Sequence, residues 1–413
     1  MELVSLKLLR CPFCGGELKV EPSPALEMVR GELQTGVLGC ACCAYPVVAG
    51  IPYLRSGQAP RTALGLLDVG KADEALGLLL GLDSRRRKAF EASRGGAGPF
   101  TYRQALETLS PMPEGTYFLY RFSDPTFLVS EALVRVLGQN GRCTRGRVLD
   151  LCGGTGHLTR TLCDLAPDGE VWLADVEFWK LWLARQFVAP QCRAVCCDAT
   201  QPLPFARGSF SLVVCADALH YLWSRRLAVG EMTRLAGRDG VIAAPALHNA
   251  LCENASAGSP LDPAGWRGLF EEIPARLFAE SVVLDAVLAD RPIELSANYT
   301  DAELAAEPDL IAIASGLEGL FRDYALPDAH PVVRRPALNP LYRRADGGPA
   351  NAWTLQFPSP QYAEEFAACR RYLPERLVLT ESQMESLNRG EVAGELWELI
   401  RRRVVLDLPE NYL

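Results

Sequence analysis

The sequence has no apolar run near the roughly 18 to 20 residues that a membrane-spanning helix requires, and its opening Met1–Lys7 lacks the long apolar core of a signal peptide. A cytoplasmic location is therefore expected, with no membrane partner. Basic charge is also short: 42 Lys and Arg against 50 Asp and Glu leave a formal net charge of -8. That balance argues against a body built to grip phosphate backbones, so nucleic acid is disfavoured as a partner and a small-molecule substrate is expected. No internal repeat is present. What remains is ordinary globular composition, 49% apolar and 22% charged over 413 residues, enough for two or three domains and incompatible with a disordered or fibrous chain. Oligomeric state is left open.

Five of the 14 cysteines fall between Cys11 and Cys43, and the rest are scattered through apolar segments, where a thiol serves as a small buried hydrophobe. The cluster contains Cys11-Pro-Phe-Cys14-Gly15-Gly16 and Cys40-Ala-Cys42-Cys43. Each C-x-x-C pair can curl so that both thiolates face one point, with Gly15 free to take the positive φ such a knuckle needs. Cys11, Cys14, Cys40 and Cys43 are thus expected to hold a metal tetrahedrally, with Cys42 as the spare because only the 40/43 pair repeats the first spacing. Zinc is favoured, and iron in a similar four-thiolate site is the alternative. Four protein ligands leave no open position, which makes the role structural. Through Arg55 this block carries five acids and five bases, unlike a basic RNA-reading finger.

The stretches Leu8-Leu9-Arg10-Cys11-Pro12-Phe13-Cys14-Gly15-Gly16-Glu17-Leu18 and Val37-Leu38-Gly39-Cys40 through Gly50-Ile51-Pro52 resemble the small zinc-ribbon proteins that act as activating subunits of tRNA and protein methyltransferases. That family usually has an acidic residue where Ala49 stands and often a shorter gap between the pairs. The resemblance implies a zinc-ribbon fold and, in this fused setting, an activator role.

Arg55 to Pro60 reads as a linker from its turn-forming composition. Leucines between Leu64 and Leu80 predict one apolar helix or a hairpin of two, followed by a charged helix over 85–94 that breaks at Gly95-Gly96. Asp124-Pro125 starts a helix, Asp as N-cap and Pro at the first helical position. From Arg147 strands are expected at 147–152, 171–175, 194–198, 210–215 and about 240–245, alternating with helices. That rhythm implies a parallel sheet covered on both faces. Beyond 250 the chain predicts a polar loop from Asn254 to Pro263, a helix near Trp266, strands at 353–357 and 376–380 and a final helix near 392–403. Four regions follow: a zinc ribbon over 1–57, a helical cap over 58–123, a nucleotide-binding unit over 124–250 and an α+β substrate-pocket region over 251–413.

Val148-Leu-Asp150-Leu-Cys152-Gly153-Gly154-Thr155-Gly156-His157 runs from an apolar strand into a glycine-rich turn that opens a helix, where a ligand can approach the backbone closely. Asp175 ends the next strand, placed to accept hydrogen bonds from ribose hydroxyls, and Asp198 ends the one after, where a carboxylate can meet an adenine amino group. Together these motifs resemble the class I S-adenosylmethionine-dependent methyltransferases, over roughly residues 125–248. The resemblance implies a Rossmann-like α/β fold and S-adenosylmethionine as cofactor. It puts Asp150, Gly154 and Gly156 at the methionine end, Asp175 at the ribose, and Asp198 and Ala199 at the adenine. Cys152, Gly153, Val176 and Cys215 are counted in the same cofactor-binding set. Cys152 departs from the family's usual first glycine, and Ser211 from a common Asp.

Methyl transfer needs a base only where the acceptor must lose a proton. His220 and His248 follow the fourth and fifth strands, at the carboxyl ends where ligands sit in open α/β sheets, and each is a candidate base. Asp217 could orient His220. Tyr117, with Tyr120 and Arg121, precedes the first Rossmann helix; an aromatic face there could stabilise the sulfonium. Arg334-Arg335 and Arg343-Arg344 could bind an acidic substrate group, or form a solvated loop. The expected activity is methylation of a small molecule, in secondary metabolism. The alternatives are an RNA methyltransferase, a cyclase closing the cofactor's own amino group onto its γ-carbon with release of methylthioadenosine, as in azetidine-2-carboxylate formation, and a non-catalytic scaffold that senses the cofactor.

Overall fold

The structure, a computed structural model, describes residues 1–96, 98–111, 113–167, 169–254, 258–326, 333–345, 349–392 and 394–413. Residues 255–257 of the expected polar loop lie outside these.

At the start of the chain β1 (Lys19–Glu21), β2 (Glu27–Val29), β3 (Glu32–Gly39), β4 (Ala44–Val48) and β5 (Ile51–Pro52) form a small antiparallel sheet, in order β1-β3-β4-β5 with β2 also on β3. Gly15, at φ 69°, turns the chain so that its N–H reaches the Cys11 carbonyl at 2.9 Å. The β3–β4 hairpin closes with the Cys40 N–H on the Cys43 carbonyl, also 2.9 Å. The expected linker is shorter than 55–60, because α1 (Gln58–Leu67) already begins at Gln58 and buries Pro60. It leads into α2 (Ala72–Leu79), α3 (Ser84–Arg94), α4 (Tyr102–Leu109) and α5 (Glu114–Tyr120). Asp83 caps α3 by accepting the N–H groups of Arg85 and Arg86.

Helices α6 (Pro125–Gly138) and α7 (Gly141–Thr144) precede the main sheet. Asp124 stands at the start of α6 as expected, but its carboxylate caps nothing; Arg121, 3.7 Å away, and the Tyr362 hydroxyl hold it instead. Then come β6 (Val148–Leu151), α8 (His157–Leu165), β7 (Val171–Asp175), α9 (Phe178–Leu183), β8 (Arg193–Cys196), β9 (Leu212–Val214), α10 (Arg225–Ala236) and β10 (Val241–His248). They continue into α11 (Pro263–Gly268), β11 (Ala275–Ala279), α12 (Glu280–Leu288), β12 (Ile293–Glu294) and β13 (Asp309–Ser315). The seven-stranded order is β11-β13-β10-β9-β6-β7-β8, parallel from β8 through β10, with β13 antiparallel to both its neighbours. The boundary expected at 250 therefore falls inside the sheet, since β11 and β13 complete it.

Strand residues alternate between two cores, as a period of two requires. Val148, Val171, Leu173, Ala194, Leu212 and Val241 face one core with the helical cap. Leu149, Trp172, Ala174, Val195, Val213 and Ile242 face the other, which they share with Leu8, Leu9, Leu38, Tyr45, Val47 and Leu54 of the small N-terminal sheet. That small sheet also bonds to the large one: the Leu54 N–H reaches the Cys196 carbonyl at 2.8 Å and Arg10 N–H the Pro204 carbonyl at 3.0 Å. The edge of β8 is thereby covered.

The remainder adds β14 (Asp323–Tyr324) on β12; β15 (Pro336–Leu338), paired with the later β19 (Val405–Asp407); and the sheet β16 (Tyr342–Arg344), β17 (Ala352–Leu355), β18 (Arg376–Val378). Helices α13 (Pro360–Glu365), α14 (Glu381–Arg389) and α15 (Trp397–Arg401) complete it, so the final helix is shorter than the expected 392–403. Among the described residues no helix is long and apolar enough to cross a membrane.

Candidate functional site

The turn after β6 is built from residues in left-handed backbone: Cys152 at φ 58°, Gly154 at 57° and Gly156 at 84°. For Cys152 this costs about 1–2 kcal/mol, which is why glycine is the usual occupant. A Cβ on Gly154 would lie 2.8 Å from the Phe118 ring, and one on Gly153 2.5 Å from the Asp150 carboxyl. Only glycine fits between these walls. Asp150 is fully buried; Thr159 donates to its Oδ2 at 2.6 Å, and its Oδ1 has no partner. Burial pushes this carboxyl up to about 7. Cys152 lies beside Cys215, and that contact together with burial raises its thiol well above the ordinary value.

The turn is tied down on both sides. Asp175, at the end of β7, accepts the Gly154 N–H at 3.0 Å through Oδ2 and the Glu177 N–H at 2.9 Å through Oδ1; burial raises its pKa. On the other side a buried chain runs from Tyr102 Oη to Thr155 Oγ1 (2.9 Å), to His157 Nδ1 (3.2 Å), and from His157 Nε2 to Tyr412 Oη (2.8 Å). Burial keeps His157 well below the ordinary histidine range. Past β8, Asp198 uses Oδ1 to accept from the Thr200 N–H and hydroxyl, at 2.9 and 2.6 Å. Ala199 is buried beside it. The Val176 carbonyl accepts from Arg55 at 2.6 Å. Arg55 was not expected here; it reaches the end of β7 because the N-terminal sheet docks on β8.

His220 and His248 come together. Their rings stack at 3.6 Å between centroids, tilted by 19°, and both are buried. Between them and α5 stands Asp217, at φ 53°. Its Oδ1 lies 4.0 Å from His220 Nε2 and 3.7 Å from His248 Nε2, while Oδ2 accepts from the Tyr117 hydroxyl at 2.9 Å and pairs with Arg121 at 3.5 Å. The Tyr117 ring carries the Arg121 guanidinium 4.9 Å from its centroid, so its hydroxyl and one cation are already engaged. β10 slips register between Ala244 and Leu247, with Ala246 at φ 56°, and this bulge turns His248 toward Asp217. Asp309 at the start of β13 lies 3.8 Å from His248 Nε2; Glu280, at the start of α12, accepts the Ala246 N–H at 2.9 Å. Burial raises both acids, Asp309 to about 7. Burial lowers both histidines, His220 to about 4. Asp309 and Glu280 went unpredicted, although the apolar run Leu310–Ala314 after Asp309 is a strand signal.

The sulfurs that converge within 4.8 Å of one another are those of Cys11, Cys14, Cys40 and Cys42. This corrects the expected set: Cys43 lies 3.4 Å from Cys42 rather than completing the group. The reason is the tight hairpin, which ties Cys40 to Cys43 through the backbone and leaves Cys42 at its exposed tip, facing Cys11 at 3.7 Å and Cys40 at 3.6 Å. The four C-terminal arginines are committed elsewhere: Arg334 to Asp164 and Arg335 to Glu410, at 2.8 and 2.9 Å, Arg343 to the Tyr120 hydroxyl at 3.1 Å, and Arg344 over Trp353.

Residues 148–240 match the family described as methyltransferase domain. A ubiquinone/menaquinone biosynthesis C-methyltransferase of Cupriavidus necator is 35% identical over 103 residues, 23% of this chain and 41% of that protein. Its counterpart in Burkholderia vietnamiensis is 35% identical over 98 residues, 23% and 40% of the two chains. The chain thus spans about two fifths of the length of the curated relatives it matches. Among solved structures, the YcgJ protein of Bacillus subtilis is 18% identical, covering 45% of this chain and 97% of that one at a TM-score of 0.32. An S-adenosylmethionine-dependent methyltransferase of Aquifex aeolicus is 15% identical, covering 48% and 96% at 0.34. Residues 148–240 thus match a methyltransferase domain, set in a largely parallel α/β sheet of Rossmann-like form.

Proposed function

We propose that this protein transfers the methyl group of S-adenosylmethionine to a small-molecule acceptor held at the carboxyl edge of its sheet. The observation that carries this is the continuity of two buried features there. Helix α5 joins them: Phe118 lies against Gly154 of the glycine turn, and Tyr117 next to it donates to Asp217 of the histidine cluster.

When bound, S-adenosylmethionine supplies an electrophilic methyl on a sulfonium, and its in-line displacement calls for positioning and exclusion of water more than a covalent step. The residues fit such a ligand, since Asp150 Oδ1 is buried without a partner and the turn admits no side chain at Gly153, Gly154 or Gly156. Asp150, Cys152 and the three glycines would hold the methionine end, with Cys215 behind them. Asp175 has a lone pair left on each oxygen for the ribose hydroxyls. Val176 and Ala199 would flank the adenine, and the second oxygen of Asp198 would face its amino group. Asp217, His220 and His248 are the proton-accepting groups on the acceptor side, and Tyr117 would orient Asp217. The net charge of -8 and the acids Asp217, Glu280 and Asp309 at this edge support a small molecule over RNA.

Tetrahedral Zn–S bonds of about 2.3 Å put sulfurs about 3.8 Å apart. The sulfur separations of 3.6, 3.7 and 3.8 Å fit, and Cys11, Cys14, Cys40 and Cys42 would hold a structural zinc in the 1–57 ribbon.

Mass spectrometry of the nucleoside product tests the activity. S-adenosylhomocysteine is expected only when a metabolite fraction is added. Methylthioadenosine from the cofactor alone would establish the cyclase instead, and S-adenosylhomocysteine only with RNA would establish an RNA acceptor.

A pH dependence follows from Asp150. The ligand's ammonium favours the ionised carboxylate, whereas burial in the free protein holds the proton up to about 7. Below that pH binding must expel the proton, so affinity should fall by up to about tenfold per unit as the pH drops and level off above. Calorimetry in buffers of different ionisation enthalpy would register the released proton. Asp150→Asn should abolish the slope; an equal slope in that variant would remove Asp150 from the methionine site.

A further inference from the structure

The histidine cluster has the make-up of a metal centre. Asp217, His220 and His248 each offer one ligand atom, and the three atoms lie within 4.8 Å of one another. The contacts of 3.7 and 4.0 Å are too long for hydrogen bonds, yet both imidazole Nε2 atoms approach the same carboxylate oxygen. Ligands about 2.1 Å from one ion stand about 3.0–3.4 Å apart, so the two carboxylate–imidazole contacts would have to close by roughly 0.3–1.0 Å to enter a first coordination sphere.

Two independent features point to a missing partner. Among the described residues neither ring nitrogen of His220 finds a partner at good hydrogen-bond geometry, its backbone neighbour being Ala246, although the residue is only 1% exposed, and Asp309 Oδ1 is buried and likewise without one. Orphaned polar groups at such depth are rare and costly. The surroundings are also acidic: Asp217, Glu280 and Asp309 stand at the cluster against Arg121, which pairs with Asp217, and Arg225, which faces His220. Tyr117 and Arg121 both engage Asp217 through Oδ2, which leaves Oδ1 to the histidines; ligating carboxylates are held in this way by neighbours that fix their orientation.

We propose that Asp217 Oδ1, His220 Nε2 and His248 Nε2 bind a divalent transition-metal ion, with Asp309 Oδ1 in reach as a further donor. Two imidazoles and a carboxylate suit zinc, iron(II), cobalt(II) or manganese(II), and three protein ligands leave coordination positions open for an outside oxygen or nitrogen. The proposal does not rest on methyl transfer. Where both hold, the ion would take the acceptor's oxygen and lower its pKa, and the histidines would act as ligands in place of bases.

Metal-stripped full-length protein titrated with cobalt(II) alone tests it. Two equivalents per chain are expected, one with intense thiolate charge-transfer absorption and one with only weak ligand-field bands. The His220→Gln/His248→Gln variant should take up one equivalent and keep the thiolate absorption. Uptake of a single thiolate-bound equivalent by the wild type, or of two by the variant, would overturn the site. Should the variant not fold, electron-spin-echo spectra of the manganese(II)-loaded wild type decide alone: coupling to imidazole nitrogen is expected, and its absence refutes the proposal. Product analysis reads methyl transfer separately.

Discussion

Asp175→Ala is expected to weaken S-adenosylmethionine binding by about 100-fold or more, with the far-ultraviolet circular dichroism unchanged. Two effects combine. The carboxylate should accept two hydroxyl hydrogen bonds from the ribose; hydrogen bonds to a charged acceptor contribute about 1.5–3 kcal/mol each, so losing both costs at least about 3 kcal/mol, roughly 150-fold in Kd. The same side chain receives the Gly154 and Glu177 N–H groups, so its removal also frees the glycine turn from the end of β7. Asp175→Asn keeps the shape and one acceptor and should lose less. Isothermal titration calorimetry separates the cases, and an unchanged affinity in Asp175→Ala would sink the ribose assignment.

Replacing Cys11 and Cys14 together by serine should release the thiolate-bound metal and unfold far more than the ribbon. Structural zinc in small modules contributes about 10–16 kcal/mol, comparable to or larger than the total stability of a typical domain, about 5–15 kcal/mol. Here the module is not independent, because Leu9, Leu38, Tyr45 and Leu54 pack in one core with Trp172, Val195 and Phe205 of the large sheet. The double variant should therefore lose its cooperative thermal transition. Metal analysis should find one equivalent fewer than in the wild type, and unchanged content would remove the four-thiolate site. Single substitutions decide the fourth ligand: Cys42→Ser should lose the metal and Cys43→Ser keep it, while the opposite result would restore the 40/43 pair.

The nucleotide-binding turn was legible because its signals are local. An apolar strand, a glycine run and an acid at each following strand end lie within about 50 residues of one another, and the structure places each at the turn or strand end where the sequence puts it. The second cysteine segment departs from the expected arrangement for a physical reason. Repeating the spacing of the first pair presumes a second identical knuckle, whereas the chain there makes a hairpin whose backbone bond fixes Cys40 against Cys43 and offers Cys42. Past residue 250 the obstacle was pairing. Ala275–Ala279 is a five-residue strand defined by its bonds to β13, and β13 by its bonds to β10, so neither announces its place in the sheet. Asp309 and Glu280 joined the histidines through those same non-local pairings. The arginine pairs at 334–335 and 343–344 looked free because their acidic and aromatic partners sit up to 223 positions away.

The link between His157 and Tyr412 joins residues 255 positions apart. It imposes an order in time on a growing chain. At about 5–20 residues per second, a ribosome that has completed the glycine turn needs roughly ten to fifty seconds more to deliver the tyrosine that anchors it. Throughout that interval Tyr102, Phe122 and His157 lack the ring they finally pack against. The glycine turn thus reaches its final packing late in synthesis, and a chain stalled before Tyr412 leaves this aromatic cluster without its last ring.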